Sequence, residues 1–168
     1  FNSGTTYPHA ISFDPNTATK FVLAFQDGPN DNSGTAIVGT VSGTSVSFGT
    51  EVVFNSGTSA NMGIAFDPAN ANKFVVVYQD GSESGGYTNA GTAIVGTVSG
   101  TTVSFGTATF FNSASTSEIG LAIDTNSAGK FVVAYKDSGN SNYGTAVLGQ
   151  IATTVTTTNV TAANFLGT

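Results

Sequence analysis

Three aspartates recur at one place in the chain. Asp27, Asp80 and Asp137 each follow an apolar run (Phe21 to Phe25, Phe74 to Tyr78, Phe131 to Tyr135) and open a segment rich in Gly, Asn and Ser. Carboxylates in such company have two uses. In Asp27-Gly28-Pro29-Asn30-Asp31-Asn32 the oxygens suit a hard cation such as calcium, with Asp27 and Asp31 as ligands and Glu83 an addition in the second copy. The same residues also make a capped polar turn. The acid spacing is not that of an EF-hand loop, and the third copy offers only Asp137 with Asn140 and Asn142. A second trio, Asp14, Asp67 and Asp124, ends the preceding apolar stretch, twice directly before Pro. That pattern reads as an Asx turn. Lys20, Lys73 and Lys130 follow six residues later and read as exposed ion-pair partners or plain solubilising charges.

Catalysis has little to work with. A Ser-His-Asp arrangement needs a positioned His. The sole one, His9, has Met62 and Ile119 as its counterparts and reads as a strand-edge residue packed beside its neighbours. Paired carboxylates for glycoside hydrolysis form no visible constellation. There is no Cys, which excludes disulfides, thiolate metal sites and a thiol nucleophile. The chain is expected to be no enzyme and, beyond the calcium candidate, to carry no cofactor.

Recognition of a neutral ligand is better served. Tyr7, Tyr87 and Tyr143 lie in polar stretches beside Asn, Ser and Thr. Aromatic faces next to neutral hydrogen-bonding groups suit sugars. Tyr7, His9, Asp27, Asn30, Asp80, Tyr87, Asp137, Asn140 and Tyr143 are the candidate binding residues. They belong to the two segments that vary between copies, and loops on a rigid scaffold are where recognition concentrates.

The elements that must position these residues come in copies. Phe1-Asn2-Ser3-Gly4 returns as Phe54-Asn55-Ser56-Gly57 and as Phe111-Asn112-Ser113-Ala114, at spacings of 53 and 57 residues. Lys20-Phe21-Val22 returns at Lys73 and Lys130, and Gly34-Thr35-Ala36-Ile37-Val38-Gly39 at Gly91 and Gly144. From Asp27 to Gly34 is seven residues, from Asp80 to Gly91 eleven, and from Asp137 to Gly144 seven, so the insertion marks an exposed loop. The copies divide as 1–53, 54–110 and 111–168.

Each copy reads as four short strands, rich in β-branched and aromatic residues and separated by turn signals. In the first they are His9–Phe13, Phe21–Phe25, Thr35–Val41, and Ser45–Phe48 running on through Glu51–Phe54. Thr5–His9, Thr58–Met62 and Ser115–Ile119 read as loops into the next copy's first strand. No long window carries a helical period, so no substantial helix is expected. The second strand is apolar on both faces, which places it between two layers. Ile11, Phe13, Val22, Ala24, Ile37, Phe48 and their counterparts form the expected core. Four antiparallel strands repeated at this length, with stacked faces, predict β-propeller blades; a β-sandwich or β-solenoid is the alternative. Three blades close no ring, so the chain is expected to be half of a six-bladed ring or part of a longer array. Phe1–Gly4 reads as the tail of a fourth strand, and 150–155 and 159–167 depart from the pattern as a terminal copy does.

Composition sets outer limits. The net charge is −6 and charged residues make up 8%, while hydrophobic ones reach 39%, so the chain has a core to bury. Four lysines and no arginine exclude nucleic-acid binding through a basic surface. No apolar run approaches the ~20 residues of a membrane span. Asn159-Val160-Thr161 matches a glycosylation sequon as chance would supply one.

The runs Gly-Thr-Ala-Ile-Val-Gly-Thr-Val-Ser-Gly-Thr, Val-Ser-Phe-Gly-Thr and Phe-Asn-Ser-Gly, alternating with Lys-Phe-Val-Val-Ala-Tyr and Asn140-Ser141-Asn142-Tyr143-Gly144, resemble the repeat of tail-fibre-like structural proteins of marine bacteriophages and cyanophages. The resemblance covers nearly the whole chain and includes Val160 to Gly167, similar to the segment by which such arrays pass into a following domain. It implies an extracellular or virion-surface assembly and names no catalytic residue. The expectation is a non-enzymatic fibre or adhesin module that reads cell-surface glycan with its variable rim. The alternative is a purely structural repeat that binds only copies of itself.

Overall fold

The computed structural model describes residues 1–82, 84–151 and 160–164, apart from the side chains of Pro8, His9, Ser84 and 160–164. Glu83, the His9 side chain, Asn159 and the rest of 152–159 and 165–168 lie outside the described residues, so the expectations placed on them stop here.

Twelve antiparallel strands form one open sheet. They are β1 (Thr6–Phe13), β2 (Lys20–Asp27), β3 (Ser33–Ser42), β4 (Ser45–Phe48), β5 (Val52–Phe66), β6 (Lys73–Asp80), β7 (Ala90–Ser99), β8 (Thr102–Phe105), β9 (Thr109–Ile123), β10 (Lys130–Asp137), β11 (Tyr143–Ile151) and β12 (Val160–Asn164). The order across the sheet is β1-β2-β3-β5-β6-β7-β9-β10-β11-β12, with β4 on β3 and β8 on β7 as side hairpins. The Ser-Gly-Thr hairpins turn at Gly43 and Gly100, which take φ of +59° and +62°, a region open to glycine at little cost. Among the described residues the helical content is three 3-10 turns, Gly28–Asn30, Ser84–Gly86 and Ser138–Asn140.

Two sequence expectations are corrected. The fourth strand does not run unbroken from Ser45 to Phe54; it stops at Phe48 and a new strand starts at Val52. Thr58–Met62 and Ser115–Ile119 are not loops but the interiors of β5 and β9, each 15 residues long, and the first such segment falls largely within β1. The reason is hydrogen bonding. The first half of β5 pairs with β3 (Ala36 with Val52, Ser33 with Thr58), and its second half pairs with β6 (Ser59 with Asp80, Phe66 with Phe74). A strand that finds one partner after another has no need to turn, whatever its Ser and Gly content. Bulges take up the strain. The register slips between Tyr7 and Ala10, between Ala60 and Gly63, and opposite Ala134–Lys136. Asn61 and Glu118, inside the last two, adopt φ of +49° and +54°.

Alternation along the strands then builds layers. Val22, Ala24, Ala36 and Val38 share a core with Phe66, Phe74, Val76, Tyr78 and Ile94. The opposite faces of β6 and β7 (Val75, Val77, Ala93, Val95) share a second core with Phe131, Val133, Tyr135, Val147 and Ile151. So β6 is buried on both faces, as its sequence requires. The outer face of β2, with Phe21, Leu23, Phe25 and Ile37, forms a thin third cluster. Each layer is held internally by a Phe laid over a cross-strand Gly. A Cβ built on Gly39, Gly96 or Gly149 would stand 2.0, 2.1 and 2.1 Å from the ring of Phe21, Phe74 and Phe131. That close approach is why Lys-Phe-Val and the second Gly of Gly-Thr-Ala-Ile-Val-Gly recur together.

Three core expectations fail in the first copy. Ile11, Phe13 and Phe48 are 59%, 54% and 40% exposed. Phe66, the counterpart of Phe13, is only 4% exposed, because the β2–β3 layer lies over it. Among the described residues nothing lies over Phe13.

Candidate functional site

The recurring aspartates sit where β2, β6 and β10 end, and each is already engaged. Asn2, Asn55 and Asn112 donate from Nδ2 to Oδ1 of Asp27, Asp80 and Asp137 at 3.3, 2.9 and 3.0 Å, with a sequence separation of 25 each time. The same carboxyl oxygen of Asp80 accepts from the Ser82 amide at 3.0 Å and from the Ser82 hydroxyl, and that of Asp137 from the Gly139 amide at 2.9 Å. Asn55 also reaches Ser59 Oγ and Asn112 reaches Thr116 Oγ1, both at 2.9 Å, and both hydroxyls are buried. The neighbouring Phe completes the clip. Phe1, Phe54 and Phe111 pack on Phe25, Tyr78 and Tyr135, with ring centroids 5.1 Å apart in all three cases.

The Phe-Asn-Ser-Gly motif is therefore a fastener. In β5 and β9 it lies next to the preceding pair of strands and grips the strand that follows. The sequence reading missed Asn2, Asn55 and Asn112 as the partners of the aspartates. The constant separation of 25 residues was the signal that would have found them.

Asp27 and Asp80 are buried; Asp80 accepts from Ser82 within its turn, whereas Asp27 accepts from Asn2 and makes no side-chain bond within its own turn, and Asp31 is exposed at a left-handed position, φ +53°, that closes it. Among the described residues no group of three or more His, Asp or Glu stands close enough to hold a metal ion. Burial, with the Asp80 charge adding to it, pushes the Tyr78 hydroxyl far above its ordinary ionisation range; Tyr135 is raised for the same reasons, beside Asp137.

The second aspartate trio makes the Asx turns its spacing predicts. Asp14, Asp67 and Asp124 accept from the amides of Asn16, Ala69 and Asn126, each at 2.9 Å. The Asn126 amide and the Ser127 hydroxyl hold the exposed Asp124 carboxyl below its usual range. Lys20 donates from Nζ to the carbonyl of Gly100, 2.6 Å away in the β7–β8 hairpin. Among the described residues an ion pair forms that the sequence did not suggest, Lys136 to Glu118 at 3.6 Å.

The candidate binding residues gather at one end of the strands. Tyr143 stands across from Asp137 in the β10–β11 register and is 64% exposed; Tyr7 is exposed across from Gln26. Tyr87 packs edge-on against Phe110 at 5.6 Å, beside Gly85. Asn30 and Asn140 close their 3-10 turns in solvent. A groove borders one of the candidate residues, lined by Asn142 and Gly144 on either side of Tyr143. It is open, about 370 Å³ in volume, and runs along the outer face of β10 beside the Lys136–Glu118 pair, over Gly120 and Ala134. Comparison with family models, with curated proteins and with solved structures gives no match.

Proposed function

We propose that this chain is a non-enzymatic structural module of an extracellular or virion fibre that associates with copies of itself, its layers being blades of a β-propeller-type array divided near 1–53, 54–110 and 111–168. One observation carries the reading. The recurring polar residues that could do chemistry are engaged in internal hydrogen bonds, while apolar side chains stand exposed on both outermost sheet faces: Ile11, Phe13 and Phe48 on one, Val132 on the other. Exposed apolar faces rimmed by polar residues mark interaction surfaces. The approach of β5 to β1 on one side and to β9 on the other, which carry the first strands of the three copies, supports the blade arrangement. The tail-fibre resemblance supports the setting. Electron microscopy of the purified chain tests it: discrete rings or filaments are expected, and dispersed single particles of one chain would refute it.

A second reading, carbohydrate binding at the strand ends, is favoured by the exposed rings of Tyr87 and Tyr143 beside neutral polar side chains. A glycan array probed with the wild type and with Tyr143→Ala tests it: retention lost in the variant supports this reading, and a blank array for both refutes it.

A further inference from the structure

We propose that a second copy of this chain docks head to tail, laying its β10–β11 face on the β2–β3 face of the first; the proposal rests on the self-association reading and gives it a partner and a geometry. The chain already contains this contact twice. In each case a flat face of small side chains meets a face of aromatic and larger ones. Val22, Ala24, Ala36 and Val38 receive Phe74, Val76 and Tyr78; Val75, Val77, Ala93 and Val95 receive Phe131, Val133 and Tyr135.

One face of each kind is left over. The small-residue face of β10 and β11 carries Val132, Ala134, Ala146 and Leu148, the counterparts of the four buried residues in each earlier layer. Val132 is 44% exposed, against 0% for Val22 and Val75. The aromatic face of β2 carries Phe21, Leu23 and Phe25, which are buried, flanked by Phe13 and Phe48, which are 54% and 40% exposed; these are the counterparts of Phe74, Val76, Tyr78, Phe66 and Phe105. The open β10–β11 face and the exposed apolar side chains Ile11, Phe13, Val46 and Phe48 around the β2 cluster are thus a donor and an acceptor of one contact type. Pairing like with like would press ring against ring, or leave a gap between two small-residue faces. Close packing disfavours both.

A polar correspondence points the same way. Lys20, on the small-residue side of the first internal contact, reaches across it to the carbonyl of Gly100 in the next layer's hairpin. Lys130 occupies the same place in the β10 layer, and Gly43 is the counterpart of Gly100. In the docked pair Lys130 of one copy reaches the Gly43 carbonyl of the other. Such a contact is heterologous, so it closes a ring or extends a filament.

The test blocks one face at a time, at exposed positions. One variant carries Val132→Asp with Ala134→Asp; the other carries Ile11→Asp with Val46→Asp. Native mass spectrometry and light scattering are expected to show the wild type assembled, each variant alone as a 16.9 kDa monomer, and an equimolar mixture as a one-to-one pair that grows no further. Assembly of either variant alone would overturn the head-to-tail geometry while leaving self-association standing. A wild type that stays monomeric would overturn both. Because the chain has no Cys, a Lys130→Cys copy mixed with a Thr44→Cys copy provides a second arm that leaves both faces intact. A short bismaleimide is expected to join the two variants in the mixture at least tenfold more than it joins either alone. Equal yields would overturn the proposal.

Discussion

Removing the amide of Asn55 tests whether the Phe-Asn-Ser-Gly motif fastens the layers. In Asn55→Ala the Asp80 carboxylate, 3% exposed, loses its donor from β5 at 2.9 Å and keeps those of Ser82; Ser59 loses the same amide, also at 2.9 Å. A hydrogen bond to a charged group contributes about 1.5–3 kcal/mol, and the carboxylate is too buried for water to replace the amide freely. A loss of about 2 kcal/mol is expected, equivalent to roughly 4–8 °C in a chain of this size. Asn2→Ala is the internal control: its bond to Asp27 is 3.3 Å long and lies in the outermost layer, so its loss should stay below about 1 kcal/mol. Urea titration followed by circular dichroism reads both variants, with an unchanged slope required for the comparison. The reasoning is refuted if Asn55→Ala falls within about 0.5 kcal/mol of wild type, the range of an ordinary surface change, or costs no more than Asn2→Ala.

Four further outcomes are expected. Gly96→Ala drives a methyl into the Phe74 ring, which is 0% exposed between layers, and should cost about 1–3 kcal/mol; Gly39→Ala, under Phe21, whose neighbours Phe13 and Phe48 are exposed, should cost less, and paired thermal melts decide it. Tyr78 keeps its proton in the folded chain above pH 10, where the unfolded chain releases it, so stability should fall as pH rises past the ordinary tyrosine value, and Tyr78→Phe should flatten that fall in alkaline denaturant titrations. Millimolar calcium should leave the melting temperature unchanged, since Asp27 and Asp80 are buried and already accept from Asn2 and Asn55; a rise of several degrees, abolished by Asp80→Asn, would reverse that reading. Lys20→Met should lower stability by about 1 kcal/mol through the lost bond to the Gly100 carbonyl, whereas Lys136→Met, which breaks an exposed ion pair, should change it by less than half of that in the same urea titrations.

The strands were legible because their chemistry is local. Phe74-Val-Val-Val-Tyr78 cannot be a solvated strand, and its burial on both faces followed from that alone. The Asx turns at Asp14, Asp67 and Asp124 were legible for the same reason. The long strands β5 and β9 were not, because Asn-Ser-Gly looks like a turn until partners on both sides are known to claim its backbone. The fate of Asp27, Asp80 and Asp137 was half legible. Local sequence gives the turn, but the Asn that holds each one stands 25 residues upstream on another strand. The exposure of Ile11 and Phe13 was illegible in principle from the repeat: the copies are alike in sequence, and they differ in what lies over them.

Sedimentation velocity over a dilution series of the wild-type chain addresses most directly the claim that its apolar outer faces drive association. Species heavier than the 16.9 kDa chain that dissociate on dilution and are weakened by Val132→Asp are expected. A single 16.9 kDa species at every concentration, unaltered by that substitution, would contradict it.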